Sequence, residues 1–133
     1  MTKQDLDHHL ALRQRLEEAR GLLTSLETGA GPRAQHLDGM PHAHGISDRT
    51  GNLAAEIADV KAVIDRLRAE VARSEEAAAA WIGSIDDMQT RMIFRLRYIR
   101  GLTWKEVAAL IGGNTGRSVR LRAYRYMKDH LAG

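Results

Sequence analysis

The chain has 133 residues, no cysteine and a formal net charge of +3. This length suffices for one domain or two small ones, and the lack of cysteine excludes disulfides and thiolate metal sites. The polar beginning of the sequence, and the absence of an apolar run of membrane-spanning length, predict a soluble, cytoplasmic protein.

The first predicted helix runs from about Lys3 to Leu26. Apolar residues recur within it at spacings of four and three, at Leu12, Leu16, Ala19, Leu23 and Leu26. This pattern is the heptad seam of a helix that packs along its length on another helix.

Residues 28–46 are predicted to form a long loop, because glycine and proline interrupt the helical pattern. A loop of this length indicates function or disorder. It holds three histidines, His36, His42 and His44, with Asp38 and Asp48 nearby, and zinc accepts such ligands. Nothing in a glycine-rich loop fixes their geometry. We therefore predict no metal site, and no cofactor is expected.

The second predicted helix begins at a cap formed by Ser47, Asp48 or Thr50 and ends at Gly83 and Ser84. Its apolar residues also recur at spacings of four and three. The two helices together define a predicted packing seam of Leu12, Leu16, Leu23, Leu53, Ile57, Val60, Ile64, Leu67 and Val71. Because neither narrow seam can be buried alone, the helices are expected to form a hairpin, a coiled coil with a second copy of the chain, or both.

Three further helices are predicted after residue 85. The first covers Asp87 to Ile99 and is expected to pack through Met88, Met92, Ile93, Leu96 and Ile99. No segment shows strand-like alternation, so the predicted fold is all-α. It consists of a long, coiled-coil-like helical hairpin over residues 1–84 and a helix-turn-helix domain of three helices over residues 85–133.

The last two helices form the predicted helix-turn-helix. Thr103 and Glu106 have the spacing of a capping box, which predicts a helix start. The glycines at 112 and 113 predict a sharp turn about two helical turns later. Asn114 or Thr115 can then cap the final helix, predicted over residues 114–130. Trp104 is expected to shield the junction between the helices.

The final helix is predicted to have one apolar and one basic face. At about 100° per residue, the packing side holds Val119, Ala123, Tyr126, Met127 and His130. The other side holds Arg117, Ser118, Leu121, Tyr124, Arg125 and Lys128, with Arg120 and Arg122 on the flanks. Asp129 is the only acid after Glu106. Charge runs are often only solvated surface, but a capped, one-sided basic helix after a glycine turn favours binding to a polyanion.

The distribution of charge supports this interpretation. Residues 1–85 hold ten basic and thirteen acidic residues, a net −3, whereas residues 86–133 hold ten and four, a net +6. This asymmetry is typical of a nucleic-acid-binding module joined to a region with another role. Acids of the first helices, such as Glu17 and Glu70, lie away from the apolar seams, and no phosphate-binding glycine loop is present. We therefore predict that the protein is not an enzyme.

The residues from Ile85 to Leu131 resemble region 4 of sigma-70-type RNA polymerase sigma factors. The likeness is carried by a Leu-Arg-Tyr-x-x-Gly-Leu-Thr-aromatic-x-Glu-Val-Ala pattern, which occurs here from Leu96 to Ala108. The segment 45–59 is similar to small proteins of phages and prophages of Gram-positive bacteria, which resemble late-gene transcriptional regulators of the RinA/ArpU type. The turn before the final helix is one residue longer than in sigma factors, and Gly113 stands where they have an aliphatic residue.

The basic final helix predicts sequence-specific binding to double-stranded DNA, with this helix in the major groove. The resemblance implies a transcriptional regulator of the phage or prophage type. Base edges are expected to be read by Arg117, Ser118, Leu121 and Arg122. Phosphate contacts are expected from Thr103, Lys105, Arg120, Tyr124, Arg125 and Lys128. A homodimer is expected. The alternatives are a ring-forming small terminase subunit of a phage, and a sigma-like module that binds RNA polymerase.

Overall fold

The structure, a computed structural model, describes residues 1–29 and 43–131, with side chains described outside residues 43–51. Helices make up the regular structure of these ranges. We number them α1 (Lys3–Thr28), α2 (Ala43–Gly83), α3 (Met88–Phe94), α4 (Trp104–Ile111) and α5 (Gly116–His130), and a π-helical turn (Arg95–Ile99) follows α3 directly. The predicted all-α fold is confirmed.

The ends of the first two helices differ from the predicted ones. Helix α2 begins at Ala43, so Ser47, Asp48 and Thr50 lie inside it and none of them caps it. Residues 43–46 of the predicted loop are therefore helical, as is Thr28 at the end of α1. The predicted histidine group falls largely outside the described residues, since His36, Asp38 and His42 lie there. His44 belongs to α2, where its side chain is not described.

The chain divides into two compact units, and they do not separate at residue 84. Unit 1 comprises residues 1–13 and 70–133, and unit 2 comprises residues 14–69. This division differs from the predicted one because both long helices contribute residues to the core on which α3, α4 and α5 pack. That core contains Leu6, Ala78, Ile82, Ile85, Ile93, Phe94, Tyr98, Val107, Ala108, Val119, Ala123 and Met127.

Aromatic rings fill the centre of unit 1. Phe94 is fully buried and stacks on Tyr98 with ring centroids 5.8 Å apart, while Trp81 meets Phe94 edge-on at 5.2 Å. Burial raises the pKa of the Tyr98 hydroxyl well above its usual range. These contacts connect α2, α3 and the π-helical turn, so the segment before the helix-turn-helix has a rigid apolar support.

The packing face predicted for α3 was only partly right. Ile93 is buried, but Met88 and Met92 leave 69% and 38% of their surface exposed. Phe94 and Tyr98 occupy the interior instead, and the π-helical turn that contains Tyr98 departs from the 3.6-residue period. A prediction based on that period could not anticipate the change in register.

The beginning of α1 is fixed to unit 1 by a cap and by two buried side chains. Thr2 and Asp5 exchange hydrogen bonds, N–H of Thr2 to the carboxylate of Asp5 at 2.9 Å and N–H of Asp5 to the hydroxyl of Thr2 at 3.1 Å. Leu6 and His9 are both fully buried. His9 Nδ1 is hydrogen-bonded to the hydroxyl of Ser74 on α2. The first turn of α1 therefore has a defined position in this unit.

Unit 2 buries its predicted seam only in part. Leu16, Ile64 and Leu67 are buried, as are the neighbouring seam residues Leu12 and Val71 in unit 1. Leu23, Ile57 and Val60 are half-buried, and Leu53 has 38% of its surface exposed, so a single chain buries only part of the predicted seam in these residues. Lys61 and Glu27 form an ion pair at 3.9 Å.

No helix in the described ranges is long and apolar enough to cross a membrane.

Candidate nucleic-acid interface

Helix α4 begins at the predicted capping box. The Thr103 hydroxyl accepts a hydrogen bond from the N–H of Glu106 at 3.2 Å, and the Glu106 carboxylate accepts one from the N–H of Thr103 at 3.0 Å. The hydrogen bond from the Thr103 backbone lowers the pKa of Glu106. Val107 and Ala108 then anchor the helix in the core. The box therefore places Thr103 and Lys105 at an exposed helix start, as the sequence predicted.

The turn between α4 and α5 depends on two glycines and a second capping box. Gly112 and Gly113 have φ angles of +80° and +69°, which residues other than glycine rarely adopt. Thr115, rather than Asn114, is the N-cap of α5, and it exchanges hydrogen bonds with Ser118 at 3.1 Å in both directions. The final helix consequently begins at Gly116, two residues later than predicted.

Gly116 brings the starts of α4 and α5 into contact. A Cβ atom at this position would lie 3.1 Å from the backbone nitrogen of Lys105 and 3.3 Å from the carbonyl carbon of Trp104. Only glycine fits without a shift of the α4 backbone. The exposed start of α4, with Lys105, therefore lies beside the exposed start of α5, with Arg117.

The two faces of α5 largely match the prediction. Val119, Ala123 and Met127 are buried, and Tyr126 is half-buried. His130 is exposed and stacks on Tyr126 at 3.9 Å, so its predicted place on the packing side was wrong. On the other face, every residue predicted to be there or on its flanks is exposed except Arg122. These exposed residues are Arg117, Ser118, Arg120, Leu121, Tyr124, Arg125 and Lys128.

Two of the four predicted base-reading residues are engaged within the protein. The Ser118 hydroxyl accepts the N–H of Thr115 and donates to the Thr115 carbonyl at 3.0 Å, so its hydrogen is already used in the cap. Arg122 is half-buried and its guanidinium donates to Asp87, Gln89 and Thr90 at the start of α3. Arg117 and Leu121 have no such partners among the described residues, so they are the ones free to meet a ligand.

The contact between Arg122 and α3 is a structural one. Asp87 is the N-cap of α3, where it accepts the N–H of Thr90 at 2.9 Å, and Arg122 donates to the same carboxylate oxygen at 3.0 Å. Hydrogen bonds from Thr90 and the charge of Arg122 lower the pKa of Asp87. Arg122 thus ties the outer flank of α5 to the cap of α3 and fixes the orientation of the helix.

On the flank of α5 opposite Arg122, cationic side chains lie next to aromatic rings. Tyr124 meets Trp104 edge-on at 6.2 Å, and Trp104 meets Tyr98 edge-on at 6.4 Å. Arg97 lies 4.8 Å from the centre of the Trp104 ring and donates to the Leu102 carbonyl at 2.9 Å. The half-buried Trp104 therefore shields the junction between the helices, as predicted, and it also packs against the Tyr124 ring.

Two cations lie over the Tyr124 ring, one from α5 itself and one from α1. The guanidinium of Arg120 lies 5.6 Å from the centre of the ring, and Lys3 Nζ of α1 lies 4.5 Å from it. Sequence reasoning assigned Arg120 and Tyr124 to the interface but missed Lys3. No local pattern links residue 3 to residue 124, so only the fold could reveal this neighbour.

Comparisons of the chain with protein-family models, curated proteins and solved structures found no match. The likeness to sigma region 4 rests on the motif from Leu96 to Ala108. In the described part of the chain, no group of three or more histidine or acidic side chains could hold a metal ion.

Proposed function

We propose that this protein binds double-stranded DNA sequence-specifically as a transcriptional regulator of the phage or prophage type, with α5 in the major groove. The observation that carries the proposal is the exposed face of α5. It presents Arg117, Arg120, Arg125 and Lys128 around Leu121, and none of these cations is ion-paired within the described residues. A helix of this kind suits the groove of a duplex, whose walls are lines of phosphate.

The free side chains divide into two proposed roles. Arg117 and Leu121 lie one turn apart near the middle of the exposed face. Arginine pairs with the O6 and N7 atoms of guanine, and an exposed leucine suits the methyl group of thymine. The phosphate contacts are assigned to Thr103, Lys105, Arg120, Tyr124, Arg125 and Lys128, which position the helix without carrying sequence information. Ser118 and Arg122 act in this proposal by holding α5 in place.

The proposal includes a homodimer formed through the two long helices. Leu53 is exposed, and Ile57 and Val60 are only half-buried, so the seam of a single chain is not closed in the described part of unit 2. A dimer would offer two recognition helices to two half-sites and raise the effective concentration at the second. It would also cover the open part of the seam.

Selection from a pool of random duplexes tests this function. The wild-type chain is expected to enrich one sequence motif, and the same selection is then repeated with Arg117→Ala and Lys128→Ala. Loss of Arg117 should relax the preference at one base pair at a cost of about 1 to 3 kcal/mol, whereas loss of Lys128 should weaken all sequences alike. Failure of the wild-type chain to enrich any motif would overturn sequence-specific binding.

A second candidate function is binding to RNA polymerase through the sigma-like module. The exposed Met88 and Met92, one turn apart on α3, favour it, because methionine adapts to many protein surfaces. A pull-down with core polymerase in nuclease-treated lysate, using wild type and a Met88→Ser, Met92→Ser variant, tests this candidate. Retention by the wild type alone would support it.

A further inference from the structure

We infer that the first turn of α1 is part of the DNA interface and that Lys3 contacts a phosphate next to the one reached by Arg120. This inference rests on the proposed function and extends the interface beyond the helix-turn-helix. Its basis is the position of Lys3 over the Tyr124 ring, 4.5 Å from the ring centre.

The position of Lys3 follows from contacts on both sides of it in the sequence. The reciprocal hydrogen bonds of Thr2 and Asp5 define the turn that contains it, and Leu6 is fully buried in the core one turn later. These contacts hold the backbone at residue 3, and the Tyr124 ring then directs the side chain. A flexible lysine of α1 is thereby brought to one side of α5.

The charges around Tyr124 favour an anion. Lys3 and Arg120 both lie within 5.6 Å of the centre of one ring, and neither forms an ion pair among the described residues. The carboxylate of Asp5, the nearest acid in sequence, accepts the N–H of Thr2. Two like charges held together repel each other, and a polyanion with regularly spaced phosphates relieves that repulsion.

The geometry favours a duplex over a single strand. Tyr124 has 38% of its surface exposed, but Trp104 meets it edge-on and Lys3 and Arg120 lie against it, so its ring is not open for a base to stack on. With α5 in the major groove, Lys3 and Arg120 lie on the same flank and can follow one strand of the backbone. Arg125 lies toward the other flank.

The test is the salt dependence of binding by the intact chain to its selected duplex. Replacement of Lys3 by glutamine should make the slope of log affinity against log salt less negative by about 0.9 for each bound protomer, the value for one phosphate contact. The loss should be equal on the selected and random duplexes, and Lys3→Arg should retain the wild-type slope. Lys61→Gln, which removes an exposed cation of unit 2, should leave the slope unchanged.

The absence of cysteine allows a second, direct measurement. An iron chelate attached to Lys3→Cys should cleave the bound duplex at the edge of the protected region, whereas the same reagent on Ala62→Cys should not. An unchanged salt slope in Lys3→Gln, with no cleavage from position 3, would overturn the inference while leaving the binding by α5 intact. A wild-type chain with no salt-dependent binding would overturn both the inference and the proposed function.

Discussion

The two compact units bury their apolar residues to different degrees, and they differ in charge. Unit 1 closes a core from both long helices and the helix-turn-helix, and it holds thirteen basic and nine acidic residues, a net +4. Unit 2 has a narrow seam that is partly exposed in its described residues, and it holds seven basic and eight acidic residues, a net −1. Unit 1 therefore combines a net positive charge with a closed core, whereas unit 2 is close to neutral and leaves part of its seam uncovered in its described residues.

The largest expected effect is in unit 2. Ile64→Asp places a charge in the buried part of the seam, and an uncompensated buried charge costs about 3 to 5 kcal/mol. We expect loss of the dimer and of much of the helical signal, measured by light scattering and circular dichroism at micromolar concentration. Ala62→Asp, two residues away and exposed, is the control and should change neither. A wild-type chain that is already monomeric would remove the dimer from the account.

The core of unit 1 should be sensitive to residues far from the helix-turn-helix in sequence. Leu6→Ala is expected to lower the free energy of unfolding by about 3 kcal/mol, because Leu6 is fully buried among rigid neighbours. Leu22→Ala, on the same helix with 51% of its surface exposed, should change it by less than about 0.5 kcal/mol. Urea unfolding measures both. Equal effects would mean that α1 does not belong to this core.

A substitution at Arg122 tests whether this residue orients α5, as its contacts with α3 indicate, or reads bases. Arg122→Ala is expected to destabilise unit 1 by about 1 kcal/mol, a value typical of a partly exposed ion pair with additional hydrogen bonds. The variant should select the same duplex motif as the wild type, but it should bind that motif with lower affinity. Thermal unfolding and a repeated duplex selection measure the two quantities. A changed base preference at one position would return Arg122 to the base-reading group.

The second capping box should contribute a similar amount. Thr115→Ala removes the acceptor for the N–H of Ser118 and is expected to cost about 1 kcal/mol. Thr115→Ser keeps the acceptor and should stay close to wild type. The comparison is made by thermal unfolding, and affinity for the duplex should follow stability because this cap fixes the start of α5. Indistinguishable alanine and serine variants would show that the cap is not formed in solution.

The smallest expected effect is a dependence of stability on pH. Burial, together with the nearby Arg13, lowers the pKa of His9, and Glu75 and the Tyr98 backbone oppose this only in part. The folded protein therefore binds this proton less readily than the unfolded chain, and stability should fall as the pH drops below about 6.5. His9→Gln should flatten that fall between pH 7 and 5. The exposed His8→Gln is the control, and it should keep the wild-type dependence.

Short-range sequence patterns predicted those parts of the candidate interface that depend only on residues close together in the chain. The capping box at Thr103, the turn at Gly112 and Gly113 and the exposed basic face of α5 all follow from short-range patterns. The apolar face was predicted through Met127, but not at His130, because helix period alone cannot tell where the neighbouring helix ends.

The features that the sequence did not reveal depend on contacts between distant residues. Arg122 pairs with Asp87, Lys3 reaches Tyr124, and Leu6 joins the core of the helix-turn-helix. Nothing in the spacing of residues encodes these pairs. A fragment of residues 85–133 lacks Leu6, Ala78 and Ile82 of that core, so we do not expect it to fold alone.

The most direct test of the account is the salt dependence of duplex binding by the intact wild-type chain, measured by fluorescence anisotropy. Lys3, Lys105, Arg120, Arg125 and Lys128 are the proposed phosphate-contacting cations, and at about −0.9 per contact they predict a slope of roughly −4.5 in log affinity against log salt for each bound protomer. A slope near that value, with tighter binding to the selected sequence than to random duplex, is the expected result. A slope near zero, or no binding at low salt, would contradict the claim that the exposed face of α5 binds DNA.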